Sequence, residues 1–232
     1  MNRKSQLPAS GQAGRAEERF IPILGPHPGE SPAGVPINFS FRREDPMEMV
    51  SYVQPISIRR FGLEDVSSLY EAVRESIVPL CGWMTWCGPD YSMEDSRVFV
   101  LKSAAAWAKG EEYSFAIVDR REGSVLGSVA LNQINRTHGF ANVGYWVRNS
   151  RTRTGVASAA TLLIARFGLS RLGLNRLEIL VPTDNVPSQR VAQKAGAKFE
   201  GVFRRRLILG GKVCDAAVYS LVPEDLAGGR SV

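Results

Sequence analysis

Cysteine is scarce in this chain of 232 residues: Cys81, Cys87 and Cys214 are odd in number and show no paired metal-ligand spacing. That argues against a disulfide framework and a zinc site, and no metal is expected; filling space is the role expected of the three. Long apolar runs are lacking too. None approaches the roughly 20 residues needed to cross a bilayer, and the N-terminus has no apolar core of a signal peptide, so no membrane association and a cytoplasmic location are expected. Internal repeats are lacking. Dense charge of one sign is confined to Arg204-Arg205-Arg206, although the formal charge is +6 and the pI near 9.5. That run lies in a segment read as a strand, where successive side chains face opposite sides, so a solvated strand face is favoured over a nucleic-acid groove. A nucleotide-bearing small molecule would suit the positive charge equally well.

What the chain does have is the composition of an ordinary globular protein. A 44% hydrophobic and 22% charged make-up over this length supports one good-sized core plus a tail. Seven of the 13 prolines fall within residues 1–46, a stretch without helical or strand periodicity. Residues 1–54 are therefore expected to be a disordered N-terminal extension and residues 55–232 the folded domain. Met47 and Met49 follow the proline-rich stretch, and a translation start there is expected, which the intact mass of the native protein would test.

From Pro55 the pattern becomes regular. Ile56 to Phe61 alternates as a strand, and Leu63 to Ser76 has helical spacing through Val66, Leu69, Tyr70 and Val73. Residues 78–89 read as a loop rich in bulky apolar side chains. Ser92 with Asp95 three residues later marks a capped helix start, and that helix should run to Lys109. Strands are expected at 113–119, 125–132 and 141–147, then a helix from Gly155 capped at Gly168, a strand at 176–181, a short helix at 187–195, and strands at 199–209 and 213–221 around Gly210-Gly211. The order predicts a mixed α/β domain: a mostly antiparallel central sheet, flanking helices, and one parallel neighbour reached by a crossover helix.

The richest segment is Tyr145 to Ala160. It reads as a strand, a basic turn and a helix whose first turn is built from small residues. A helix start exposes unpaired N–H groups at the positive end of its dipole, and Gly155 and Ala157 let an anion approach the backbone. Arg148, Arg151 and Arg153 would add charge just outside. Close helix–sheet packing explains the same small residues, and this segment alone leaves the two readings level.

Several spaced motifs in order then resemble the GNAT N-acetyltransferases, and most closely the RimJ and RimL kind that acetylates ribosomal-protein N-termini. They are Trp83-Met84-Thr85-Trp86, Gly144 to Arg148, Thr154 to Ala157, Asn185 with Ser188, Lys194 to Ala197, Glu200-Gly201, and Asp215 with Tyr219-Ser220. The resemblance implies the GNAT fold and acetyl-CoA as cosubstrate. It implies a pyrophosphate cradle at Arg153, Thr154, Gly155, Val156, Ala157 and Ser158, and a pantetheine track along Trp146 and Val147, with a backbone N–H near Val147 holding the thioester carbonyl. Asn185 is placed with the cofactor site and Ser188 near the CoA sulfur as the acid. Asn185 can equally be a helix cap and Ser188 a first-turn residue. Some relatives carry a carboxylate where this chain has Leu207. Glu178, among apolar residues on a strand expected to border the slot, is the candidate base, with a structural salt bridge as its other reading. Asp215 could orient the acceptor amine or pair with one of Arg204 to Arg206. Tyr145 and Tyr219 are read as core or rim residues.

The acceptor implied is a protein N-terminal α-amine, possible ribosomal proteins included. At pH 7.5 about a third of an α-amine but only ~0.1% of a lysine amine is neutral, so a weak base suffices for the former. A small-molecule amine, or a CoA-binding regulatory module without turnover, are the rivals. The aromatic loop Trp83 to Trp86 would wall the acceptor side or lid the core.

Overall fold

The computed structural model describes residues 48–51 and 54–227, so the extension expected over residues 1–54 falls mostly outside the described residues. Eight strands form one sheet in the order β1-β2-β3-β4-β5-β6-β8-β7. They are β1 (Met49–Val50), β2 (Ile56–Arg60), β3 (Tyr113–Asp119), β4 (Val125–Asn135), β5 (Phe140–Val147), β6 (Arg176–Pro182), β7 (Lys198–Leu209) and β8 (Lys212–Leu221). Every neighbouring pair is antiparallel except β5 with β6. The sheet thus begins ahead of residue 55: Met49 pairs with Ile58 and Val50 with Ser57, and both residues of β1 are buried. A two-residue strand is too short to show the alternation by which strands are read.

The period-2 alternation of the strands divides the core into two layers. On one face Phe115, Ile117, Val129, Leu131, Val143, Leu177 and Ile179 meet Val156, Ala160, Leu163 and Ile164 of α4 (Val156–Arg166). On the other, Ala116, Val118 and Val125 meet Leu69 and Val73 of α1 (Val66–Glu75), Leu80 of α2 (Ile77–Cys81) and Val100 of α3 (Met93–Lys109). The capped start of α3 forms as expected: Asp95 N–H donates to Ser92 Oγ (3.2 Å) and Ser92 N–H to Asp95 Oδ2 (2.8 Å).

Two stretches of the chain differ from expectation. The stretch 78–89 is not all loop, because α2 forms first and closes with Trp83 and Met84 N–H donating to Leu80 O. Gly168 is not a cap. The helix loosens into a five-residue π turn, Phe167–Arg171, and the left-handed stop falls at Gly173 (φ 66°). Gly168 is small because a Cβ there would lie 2.9 Å from Leu131 and 3.1 Å from Leu177, so close packing of the turn on the sheet demands it. α5 (Val186–Lys194) follows β6, and α6 (Pro223–Ala227) ends the described chain.

Candidate active site

β5 and β6 are hydrogen-bonded neighbours only where Phe140, Ala141 and Asn142 face Arg176, Leu177 and Glu178. Beyond that the two strands part, while β5 stays paired to β4 as far as Val147. Arg148 N–H donates to Leu126 O on β4 at 2.7 Å. Because backbone groups alternate along a strand, the N–H groups of Val147 and Tyr145 point the other way, into the opening. A sheet opened in this manner offers one bare strand edge to an extended ligand.

At one end of the opening the chain leaves β5 through a 3₁₀ turn, Asn149–Arg151, and enters α4. Arg153 (φ 62°) and Gly155 (φ 89°) both take left-handed conformations there. Thr154 Oγ1 donates to Arg151 O (2.6 Å) and Ser158 Oγ to Gly155 O (3.0 Å), which fixes the turn. Six successive backbone N–H groups, from Arg153 to Ser158, find no acceptor among the described residues. A run of unanswered donors at a helix start, bent by two left-handed residues, is an anion nest. The amide of Gln54 lies beside it: a Cβ at Gly155 would be 3.1 Å from Gln54 Nε2. Nothing local in the sequence points to Gln54, which precedes β2 and lies about 100 positions before the nest.

The basic residues around the nest differ from expectation. Arg148 is bound to Glu75, with Nε to Oε2 at 2.7 Å, and Arg151 to Asp119 (3.2 Å) and Glu122 (3.4 Å). Their charge is already answered, and they brace the turn against α1 and the β3–β4 connection. Arg153 is exposed and has no ion-pair partner among the described residues.

At the other side of the opening stands α5. Asn185 caps it, its Oδ1 accepting from Ser188 N–H at 3.1 Å, so the capping reading of Asn185 is realised. Ser188 is a first-turn residue and something more. Tyr145 Oη donates to Ser188 O (2.9 Å) and lies 3.0 Å from Ser188 Oγ, so a hydroxyl pair spans the parted strands. Burial pushes the Tyr145 phenol up to about 12, against a smaller opposing effect of the Ser188 hydrogen bond, so it keeps its proton at any ordinary pH. Tyr145 is thus more than rim. Its parity on β5 was legible, but its partner across the opening was not.

Glu178 is not isolated. Its Oε1 accepts from Arg176 Nε at 3.0 Å, and Arg176 also holds Glu200. It sits where β5 and β6 are last paired, opposite Asn142, and its Oε2 has no partner among the described residues. Asp215 Oδ1 accepts from the Arg205 backbone N–H (2.7 Å), not from an arginine side chain. Arg204 to Arg206 are exposed, with Arg205 at φ 54° in a bulge. Tyr219 is buried, hydrogen-bonded to Gln189.

The face of the sheet opposite α4 carries a hollow of about 780 Å³. Its floor is made of small side chains on three strands: Ser114 of β3, Ser128 and Ala130 of β4, and Gly144 of β5. Positions that would bear a core on a closed sheet are left unfilled. α3 covers it with Val98, Phe99 and Ala106, and Met84 and Trp86 form a side wall. Trp86 packs on Trp146 and Tyr91, both with centroids 5.9 Å away. Trp83 is not part of this lining. Asp90, Asp95, Glu112 and Lys102 stand at its margins. The hollow reaches Tyr145 and Trp146, and so meets the parted strands.

A sheet opened between parallel neighbours, an anion nest at the mouth and a hollow behind define a fold for joining a phosphate-bearing ligand to a second molecule. The acetyltransferase (GNAT) domain profile matches residues 56–198, and the chain belongs to that family. Its general activity is therefore acetyl transfer from acetyl-CoA. It is 30% identical to the uncharacterized N-acetyltransferase YoaA of Bacillus subtilis over 56% of this chain and 74% of that one. It is 23% identical to the ribosomal-protein-serine acetyltransferase of Escherichia coli over 75% and 97%. A candidate ribosomal-protein-serine acetyltransferase from Vibrio cholerae superposes with a TM-score of 0.67 at 29% identity, covering 76% of this chain and 98% of its own.

The residues present fit the cosubstrate, since six free N–H groups are a receptacle for phosphate oxygens. Among the described residues no group of three or more His, Cys, Asp or Glu could hold a metal ion, and no helix is long and apolar enough to cross a membrane.

Proposed function

We propose that this chain acetylates the α-amine of a protein N-terminus, by direct attack of the amine in a ternary complex. In this reading the N–H groups of Arg153, Thr154, Gly155, Val156, Ala157 and Ser158 hold the phosphates, with Arg153 and Gln54 reaching in from either side. The edge of β5 at Trp146 and Val147 holds the pantetheine arm, and Asn185 fixes the facing helix start. Acetyl-CoA, when bound, supplies an activated acetyl thioester and a thiol leaving group. The N–H groups of Tyr145 and Val147 face the opening, where a carbonyl oxygen gains most from preset donors. Ser188 Oγ is the proton donor for the departing sulfur and regains its proton from solvent, while Tyr145 Oη, which keeps its own proton, positions it. Glu178 Oε2 remains the candidate proton acceptor.

The observation that carries the reading is the Ser188–Tyr145 hydroxyl pair, which spans an opening with an anion nest at one end and a hollow behind. The α-amine is favoured because the single candidate base is already engaged by Arg176, and an α-amine needs little help to lose its proton. The names of the Escherichia coli and Vibrio cholerae proteins support the same acceptor class. Release of CoA thiol, followed with a panel of Ser- and Ala-starting peptides beside small amines, tests it. Release with peptides, reduced in Ser188→Ala and Glu178→Gln, is expected. Release with small amines alone would remove the protein acceptor, and CoA binding without any release would replace the enzyme with a regulatory module.

A further inference from the structure

The wall of the hollow is bounded by two cysteines. Cys81 ends α2 and Cys87 follows six residues later, with their Sγ atoms 3.1 Å apart. Between them Gly82 to Trp86 turns back on itself, closed by Cys87 N–H donating to Met84 O at 3.2 Å. Met84 and Trp86, which line the hollow, lie within this segment. The two sulfurs therefore sit at the two ends of the acceptor-side wall. Cys81 is exposed and Cys87 half-buried, so one of them is open to a reagent from solvent. A disulfide bond is about 2.05 Å long, so the sulfurs need to close by only about 1 Å.

We propose that Cys81 and Cys87 are a redox modification site, which a peroxide converts to an intramolecular disulfide that ties the Gly82–Trp86 wall and slows entry of the acceptor. The Cys81 thiolate attacks the peroxide, the O–O bond breaks, and the sulfur gains an oxygen to become a sulfenic acid while hydroxide leaves. Cys87 Sγ then bonds to that sulfur, the S–O bond breaks, and the Cys87 proton leaves with the hydroxide as water. Two thiols and one hydrogen peroxide thus give one disulfide and two waters. Burial, and then the neighbouring Cys81 sulfur, push the Cys87 thiol up to about 12, so the second step quickens as pH rises above neutrality. Cys214 lies on β8, 3.8 Å from Leu207 O, and takes no part.

The effect on acceptor entry rests on the acceptor reading of the hollow, whereas the bond itself does not. The full chain is treated with hydrogen peroxide, alkylated, and measured by intact mass, peptide mapping and hydrogen exchange. The expected result is a loss of about 2 Da, a peptide linking Cys81 to Cys87, free thiols falling from three to one, and slower exchange over Gly82–Trp86. Acceptor kcat/KM is expected to fall about fivefold or more with CoA affinity unchanged, and dithiothreitol to restore it. Cys81→Ser and Cys87→Ser, each active before treatment, are expected to stay active after it. A gain of about 16 or 32 Da without a linked peptide, or links between chains, would overturn the site. A linked peptide with unchanged exchange and unchanged acceptor kinetics would overturn the tie on the wall.

Discussion

Replacing Tyr145 with Phe keeps the ring on the core and deletes only the hydroxyl that meets Ser188 O at 2.9 Å and Ser188 Oγ at 3.0 Å. The hydrogen bond is between neutral groups, one of them largely buried, and such a bond contributes about 0.5–1.5 kcal/mol. If it holds Ser188 Oγ toward the sulfur, the turnover rate falls by about 2- to 13-fold. Ser188→Ala removes the proposed proton donor and should cost about 10²- to 10⁴-fold. The two effects share one pathway, so the double variant should be no slower than Ser188→Ala by more than about twofold. Melting temperature should drop by roughly 1–6 °C in Tyr145→Phe, and CoA affinity should not move. Steady-state thiol release under saturating acetyl-CoA, run on the four proteins of the cycle, measures all of this. Additive losses, or a Tyr145→Phe rate equal to that of the parent, would refute the idea that the hydroxyls act as a unit. An absorbance titration gives a second reading: a phenol ionising near pH 12 should be present in the parent and missing from Tyr145→Phe.

Gly155→Ala forces a side chain into φ 89°, which should cost about 1–2 kcal/mol of stability and weaken acetyl-CoA binding about tenfold or more, as calorimetry would report. Gly123→Ala, at φ 72° with open space around it, should lose comparable stability and bind as before. Ala130→Leu fills the floor of the hollow and should raise acceptor KM while leaving CoA affinity alone. Glu200 is held down to about 2, first by its hydrogen bond from Arg176 and then by that from Ser220. A depressed carboxylate stabilises the fold above its unfolded value of about 4.3, and that contribution disappears as pH falls toward about 2. Glu200→Gln should therefore melt lower than the parent at pH 6, by under about 1 kcal/mol since its side chain is 39% exposed, with the gap closing as pH is lowered through 4.

The elements legible in advance were those whose signal is local. The capping box at Ser92 and Asp95, the alternation of β3 and β4, and the small first turn of α4 each follow from residues within a few positions. What escaped depends on partners distant along the chain. Arg148 was expected near a phosphate, and its partner Glu75 lies 73 positions away. Gly168 looks like a helix stop until Leu131 and Leu177 are seen packed against it. Tyr145 and Ser188 are 43 positions apart, and nothing local ties them. The cysteines, expected to fill space, are neighbours because the turn Gly82 to Trp86 after α2 doubles the chain back on itself.

Amide hydrogen exchange with and without acetyl-CoA tests the central claim most directly. Slowed exchange at Arg153 to Ser158 together with Tyr145 and Val147, and not across the far edge of the sheet at β7, is the predicted result. Binding that leaves those eight amides exchanging as before would contradict the account.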